Sequence, residues 1–311
     1  MKSVFEKLLK HCVLLYAGKT GRNGMPYILH PLEVMSKVES LPEKIVALAH
    51  DYGEFRDIKE LTEIGVPAVS VDKIKLLAKT FPEDLPETDP QYCDYIWNFL
   101  ADPVCCKVKY ADLLVNNGYE DSPAGDGRRF TGQSRNVMEL LTDAADGKLY
   151  FNSRTLYFDM FSNFFEEPLE INGQIWKSGE HFYQAAKFAK NGLQEDERMY
   201  NVIRETPSPG GAKRLADEFF SEENKSRAHQ ALRTFVAMVN VLNVKFASGT
   251  LARKRLQQTG DLELIHLSGS DFFWGQNRKG EGKNLLGKAL MQIRNSGSDC
   301  SVLEMVSNAG E

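Results

Sequence analysis

The feature that most constrains this chain is a gap in its hydrophobic pattern. Residues 118–127 run Gly-Tyr-Glu-Asp-Ser-Pro-Ala-Gly-Asp-Gly, turn-formers and acids with almost nothing to bury. Regularly patterned apolar residues flank it on both sides, so the 311 residues are expected to divide between two cores rather than share one. Apolar residues make up 42% of the chain and charged ones 26%, which excludes a disordered polypeptide. No stretch approaches the ~18 apolar residues of a membrane span. The best candidate, 12–17, follows Glu6, Lys7, Lys10 and His11, which spoils a secretory leader. The five cysteines include the neighbours Cys105 and Cys106 and show no Cys-x-x-Cys spacing. That usage suits a reducing, cytoplasmic setting and argues against a disulfide framework or a zinc ribbon.

Charge is unevenly spread. Residues 1–147 hold 17 basic and 23 acidic side chains, and 148–311 hold 21 and 20. Neither half has the basic excess of a general nucleic-acid binder. The short runs Arg253-Lys254-Arg255 and Arg278-Lys279 read as solvated faces. In the first half Phe5, Leu8, Leu9, Cys12, Leu15 and Tyr16 recur at helical spacing, and Pro42 sits where a first-turn proline would. Further helical patterns cover 71–81, 92–100 and 105–115, and no alternating strand pattern interrupts them, so an all-α domain is expected. The second half mixes periods. Short strands are expected at Leu149-Tyr150-Phe151, Leu169-Glu170-Ile171 and Gln174-Ile175-Trp176, with helices over 179–190, 211–220, 225–247 and 285–294. That is an α+β domain. The division reads as a domain over 1–118, a linker over 119–147 with an amphipathic piece (Val137, Leu140, Leu141, Ala144), a domain over 148–296, and a tail over 297–311.

Three fragments of the first half carry metal-capable side chains: Pro26-Tyr27-Ile28-Leu29-His30-Pro31, Ala49-His50-Asp51-Tyr52-Gly53-Glu54, and Lys109-Tyr110-Ala111-Asp112-Leu113-Leu114-Val115-Asn116. On a helix, His50 with Glu54 and Asp112 with Asn116 are i,i+4 pairs sharing a face. Two imidazoles and two carboxylates suit Mn²⁺, Fe²⁺ or Zn²⁺ and leave positions open for water and a phosphate oxygen. An adjacent His-Asp pair alone is common by chance. In their order, however, these fragments resemble the HD-domain hydrolases of the RelA/SpoT type, over roughly residues 1–118. The resemblance implies that His30, His50, Asp51 and Asp112 hold one divalent metal, typically manganese. It further implies that Glu54 orients or deprotonates the attacking water, that Asn116 positions the substrate, and that the reaction removes phosphate or pyrophosphate from the 3′ position of a nucleotide. The chain departs from that pattern at Phe55, where an aspartate is usual, and at Tyr16, where a histidine is usual.

In the second half Ser178 can cap a helix that begins near Gly179. On it Glu180, Gln184 and Lys187 fall at i, i+4 and i+7, one face, while Phe182, Ala185, Ala186 and Ala189 lie on another. A Glu–Lys face in isolation is ordinarily a solvated surface. Further on, Asp271-Phe272-Phe273-Trp274-Gly275 leads to Gly280-Glu281-Gly282-Lys283-Asn284 before an apolar helix. A Gly-rich, Lys-bearing turn at a helix start could receive phosphates, although it fits neither the P-loop nor the dinucleotide fingerprint.

With Phe161-Ser162-Asn163-Phe164, Ser208-Pro209, Ala212-Lys213, Met238, Lys245-Phe246 and Met291 to Arg294, these fragments resemble the NADAR, or YbiA-like, family over roughly 148–296. The resemblance implies cleavage of N-glycosidic bonds of ribosylated compounds, with no cofactor required. Glu180 is then the acid/base or oxocarbenium-stabilising residue and Lys187 a candidate amine nucleophile. Asp271 and Asn284 would hold ribose hydroxyls or the base, Trp274 and Tyr183 would stack on it, and Lys213 and Lys283 would meet phosphate. Asn163 and Gln184 complete the substrate-binding set. A tryptophan usual in the family stands here as Gln230. The combined expectation is a multi-domain chain, an all-α HD domain followed by an α+β NADAR/YbiA-like domain. It would act on nucleotides or on ADP-ribosylated guanine, possibly within DNA, and have no membrane partner. The alternatives are an N-glycosidase of riboflavin biosynthesis intermediates and a non-catalytic module sensing NAD or ADP-ribose; the oligomeric state is left open.

Overall fold

The computed structural model describes residues 2–21, 24–81, 85, 86, 88–118, 132–188, 194–222, 229–297, 299, 301 and 307. Two compact units result: Met1–Leu149 with Gln258–Leu262, and Tyr150–Gln257 with Glu263–Glu311. None of the described helices is long and apolar enough to cross a membrane.

The first unit is helical: α1 (Lys2–Leu15), α2 (Leu29–Ser36), α3 (Leu41–Leu48), α4 (Glu60–Glu63), α5 (Ala68–Leu77), α6 (Pro90–Phe99), α7 (Pro103–Gly118) and α8 (Gly132–Ala145). Its helices start where the sequence supplies caps. Ser40 Oγ accepts from the Glu43 N–H while Glu43 Oε2 accepts from the Ser40 N–H at 2.8 Å, a capping box with Pro42 in the first turn. Asp89 caps α6 ahead of Pro90, and Asp102 Oδ1 takes the Val104 and Cys105 N–H groups at the start of α7. Helix α7 packs against α2, α3, α5 and α8 and buries Cys105, Cys106, Val108, Ala111 and Val115. Burial pushes the Cys12 and Cys106 thiols up to about 12, so they behave as small apolar groups. The segment read from sequence as linker divides in the structure. Residues 119–131 lie outside the described residues, whereas α8 packs along α7 with Val137, Leu141 and Ala144 buried, because its apolar stripe needs a partner.

A second difference concerns His50 and Glu54. Helix α3 ends at Leu48, and Tyr52–Glu54 forms a separate 3₁₀ turn after a break at His50 and Asp51. The two side chains therefore do not share one α-helical face. His30 lies inside α2, which begins at Leu29.

The second unit contains β1 (Lys148–Phe151), β2 (Glu166–Ile171), β3 (Gln174–Ser178), α9 (Gly179–Ala186), α10 (Gln194–Glu205), α11 (Pro209–Glu222), α12 (His229–Lys245), α13 (Leu251–Gln258), β4 (Glu263–His266) and α14 (Leu285–Ser296). Strands β2 and β3 pair antiparallel, with Leu169 opposite Trp176 and Ile171 opposite Gln174. The two-residue turn between them, Asn172-Gly173, has φ values of 55° and 71°, the conformation in which Asn-Gly joins right-twisted strands. β3 runs directly into α9, whose start Ser178 caps through the His181 N–H. The helix is enclosed by α10, α11, α12 and the hairpin. At Gly179 a Cβ would come 2.6 Å from Val241 Cγ1, so the first residue of α9 has no room for a side chain. β1 pairs with β4. Helices α10 and α13 and strand β4 are additions to the pattern read from the sequence.

Strand β4 and helix α14 are stitched together at Asn284. Its backbone is left-handed (φ 50°), its Nδ2 donates to the Leu264 carbonyl at 2.8 Å, and its Oδ1 accepts from the His266 N–H at 2.9 Å. Gly287, one turn into α14, lies so close to the Leu264 carbonyl and the Asn284 amide that a Cβ would overlap both. Gly287→Ala must therefore push α14 off β4 and is expected to destabilise the second unit by about 2 kcal/mol. A urea titration followed by tryptophan fluorescence checks this; an unchanged midpoint would show that the seam has slack.

Candidate functional site

Helix α9 presents one face to a cavity of about 830 Å³. The wall includes Asn163, Glu180, Tyr183, Gln184, Lys187, Lys213, Asp271 and Trp274. Eight of the residues singled out in this half thus meet, although they come from four segments of the chain. Glu180 is 5% exposed and Gln184 2% exposed, so the Glu–Lys face is an interior surface and not a solvated one. Gln184 Nε2 donates to Glu180 Oε1 at 2.6 Å. The Lys187 ammonium lies 5.3 Å from the centre of the Tyr183 ring. Trp274 Nε1 donates to the Tyr183 hydroxyl at 2.7 Å, and the two rings stand edge-on at 87°, each fixing the other. Asp271 Oδ1 accepts from the Phe273 and Trp274 N–H groups, which holds the turn that presents the tryptophan.

Burial pushes the Glu180 carboxyl upward against the Gln184 hydrogen bond and the Lys187 and Lys213 charges. Burial also pulls the Lys187 ammonium downward, against the pull of Glu180 and Asp217. One carboxyl and one amine on the same helix face are thus both displaced toward their neutral forms, the pattern that acid/base and nucleophilic chemistry requires.

Two residues of the sequence reading are not on this wall. Asn284 spends its amide on β4, as described above, and Lys283 is exposed. The turn before α14 offers no phosphate cradle, because its N–H groups are already used. Lys283, Asn284 and Leu286 donate to the carbonyls of Phe272, Gly275 and Trp274. The Gln230 side chain and Ala189 lie outside the described residues. Conversely, sequence reasoning missed His266, Ser162 and Met238, all on the wall. Ser162 and Met238 stood in the matched fragments without a role; His266 sits in a four-residue strand with no pattern to expose it.

In the first unit the four predicted ligands converge. His30 Nε2 lies 3.3 Å from His50 Nε2, 3.4 Å from Asp51 Oδ2 and 3.3 Å from Asp112 Oδ1. His50 Nε2 lies 3.2 Å from Asp51 Oδ1 and 3.6 Å from Asp112 Oδ1. His50 Nδ1 contacts the Ala47 carbonyl at 2.7 Å, which fixes its ring. Asn116 Nδ2 donates to Asp112 Oδ1 at 2.8 Å, as their i,i+4 spacing on α7 requires. Glu54 is exposed beside the cluster. Burial works to lower His30, but the Asp112 and Asp51 carboxylates lift it to about 9. Burial works to raise Asp51, but His50 and His30 hold it at about 2.

Three supports were not foreseen. Lys109, fully enclosed, donates to Asp112 Oδ2 at 2.7 Å. The Tyr27 hydroxyl donates to Asp51 Oδ2 at 2.8 Å. Lys79 has its pKa lowered by Lys109 and by burial, with Asp112, Asp51 and Glu54 opposing. The two positions that depart from the family pattern touch each other: the Tyr16 and Phe55 rings pack edge-on at 5.3 Å, and Tyr27 packs against both.

The profile of the NADAR domain matches residues 150–296. The N-glycosidase YbiA of Escherichia coli is 32% identical over 134 residues, which cover 43% of this chain and 78% of that protein. An N-glycosidase of Nostoc punctiforme is 32% identical over 146 residues, 47% of this chain and 90% of that protein. A riboflavin biosynthesis protein of Vibrio vulnificus is 31% identical over 156 residues, 50% of this chain and 40% of that protein. The solution structure of E. coli YbiA aligns at a TM-score of 0.41 with 28% identity, over 49% of this chain and 84% of that one.

The raised carboxyl has a consequence for stability. The folded protein holds a proton on Glu180 at pH values where the unfolded chain has released it, so stability falls as pH rises through that window. Glu180→Gln is therefore expected to be more stable than the parent at neutral pH, and the difference should close below the ordinary glutamate value of 4.5. Urea titrations of both proteins at acidic and neutral pH check this; a variant weaker than its parent at neutral pH contradicts it.

Proposed function

This chain belongs, through residues 150–296, to the NADAR domain family, and from that premise we propose that its second half hydrolyses the N-glycosidic bond of a ribosylated base. The observation that carries the reading is the pairing on α9 of a carboxyl pushed toward its acid form with an amine pushed toward its free base, both on the cavity wall. In this reading the Lys187 amine attacks C1′ as the C1′–N bond breaks, and Glu180 delivers a proton to the departing nitrogen. Water then displaces Lys187 from C1′, leaving a hydroxyl on the sugar and giving its proton to Glu180, which restores both the amine and the acid. Asn163, Gln184 and Asp271 hold the ribosyl group, Tyr183 and Trp274 bound the base, and Lys213 meets phosphate. The substrate we favour is ADP-ribosylated guanine, free or within DNA, with ADP-ribose as product. Two relatives named for riboflavin biosynthesis, from Vibrio vulnificus and maize, favour a ribosylated pathway intermediate as the second reading.

For the first half we propose a metal-dependent phosphohydrolase of nucleotides. The donor set supports it: His30, His50 and Asp112 offer ligand atoms within 4.8 Å of one another, with Asp51 beside both histidines. Such a set suits a divalent cation, manganese above all, which would neutralise phosphate charge and lower the pKa of water. Lys109 and Tyr27 orient the two aspartates, Asn116 and Lys79 are placed to meet substrate, and Glu54 holds or takes a proton of water.

Two experiments test these readings. Mass spectrometry of products from ADP-ribosylated guanine and from a ribosylated riboflavin intermediate is expected to show base release by the parent. Glu180→Gln should slow that release by roughly 10²–10⁴-fold. Tight ADP-ribose binding with no product from any ribosylated base would instead favour a sensing module. For the first half, calorimetric titration with Mn²⁺ should show one site per chain, lost in Asp112→Ala, together with release of pyrophosphate from 3′-pyrophosphorylated nucleotides. Phosphohydrolase activity that persists in a metal-free Asp112→Ala protein would remove the catalytic claim.

A further inference from the structure

The cavity wall carries more hydrogen-bond acceptors than the protein itself satisfies. Among the described residues, three buried atoms of its lining side chains have no hydrogen-bond partner: Asn163 Oδ1, Gln184 Oε1 and His266 Nδ1. The donor ends of the two amides are already used, Asn163 Nδ2 on Met238 Sδ at 3.3 Å and Gln184 Nε2 on Glu180 Oε1. Buried polar atoms are nearly always paired, so a group of unpaired acceptors around one cavity marks what its occupant must bring.

His266 is the titratable member of this group. It ends β4, directly before the loop that carries Asp271 and Trp274. Its ring stacks on Phe151 at 5.4 Å and 28°, a contact that uses only the ring faces. Nδ1 is buried without a hydrogen-bond partner on a residue of the cavity wall, and in the neutral ring with its proton on Nε2 it presents a lone pair. Burial pulls the ring pKa down, against Asp271 and the Trp274 carbonyl, which favours that neutral state.

We propose that His266 is a specificity-determining residue of this cavity, its Nδ1 accepting a hydrogen bond from an N–H of the substrate base or an O–H of its ribose. The proposal rests on the N-glycosidase reading of the cavity and adds to it the chemical class of the recognised group, a hydrogen-bond donor. A packing role would be served equally by phenylalanine. A recognition role requires an acceptor, and a site built around an unpaired acceptor discriminates strongly against an occupant that cannot fill it.

The test compares the full-length parent with His266→Phe, which keeps the stack on Phe151 and removes the acceptor, and His266→Asn, which keeps an acceptor. Two readouts are taken: kcat and KM for base release from ADP-ribosylated guanine, and calorimetric binding of guanosine 5′-monophosphate, which needs no turnover. His266→Phe is expected to lower kcat/KM by roughly tenfold to a hundredfold, mainly through KM. It should weaken nucleotide binding by a similar factor, while His266→Asn stays within about threefold of the parent. Persistence of the His266→Phe effect with both the 2′-deoxy and the 3′-deoxynucleotide assigns the contact to the base, and its disappearance with either assigns it to that hydroxyl. Parent-like behaviour of His266→Phe overturns the proposal and leaves the N-glycosidase reading standing. So does a loss confined to His266→Asn, which would mean packing. A parent that releases no base, yet loses nucleotide binding in His266→Phe alone, keeps the His266 assignment and removes the N-glycosidase reading. A parent that neither releases base nor binds the nucleotide removes both.

Discussion

The second unit depends on the burial of α9. A helix with Glu180, Gln184 and Lys187 on one face can be enclosed on all sides only if that face meets something polar, because an unpaired buried charge is too costly to keep. The fold meets this constraint by opening a cavity against the helix. Asn163, the end of β4 and the 271–274 turn line that cavity together with the helix. The displaced pKa values of Glu180 and Lys187 follow from the same enclosure. Chemistry and architecture therefore have one origin, and the hairpin β2–β3, which launches α9 from its capped end, positions both.

The first unit solves a similar problem differently. Here two carboxylates and two imidazoles lie within hydrogen-bonding range, and the buried charges are balanced locally: Lys109 on Asp112, and the histidines between the aspartates. Asp112 and Lys109 sit one helical turn apart on α7, so the pair is built into a single element. His30 and His50 arrive from α2 and from the break after α3, both of which pack on α7. The interruption of α3 at Leu48 has a role in this: it turns His50 and Asp51 toward the cluster together, which an unbroken helix, with 100° between successive residues, would not do.

What could be read from the sequence follows a physical line. Ser178, Glu180, Gln184 and Lys187 were legible because a cap and an i, i+4, i+7 set are local properties of one helix. The convergence of His30, His50, Asp51 and Asp112, spread over three fragments, was legible only through resemblance to a known pattern, since spacing alone does not bring α2 to α7. His266 escaped because its strand is four residues long and its neighbours fix it through tertiary contacts. Asn284 was misassigned for a related reason. A left-handed residue whose amide closes β4 onto α14 has the same sequence signature as a loop residue facing a ligand. The helix within the expected linker belongs to the first core, because its apolar stripe packs on α7, so the change of core falls near residue 149 and not at the acid-rich segment after residue 118.

The contact at Gly179 has an implication for how this site can change over generations. Its hydrogen atom fills the space where a Cβ would strike Val241, and the neighbouring Glu180 N–H is bonded to the Asn163 carbonyl at 2.9 Å. Glu180 and Asn163 are thereby registered to each other through the main chain, without either side chain taking part. Substitutions that alter what the cavity accepts can accumulate elsewhere along its wall one at a time, each tested by selection on its own. Position 179 offers no such gradual route while Val241 stands against it: a side chain there must displace Val241 or shift the start of α9, and with it the acid and its main-chain tie to Asn163.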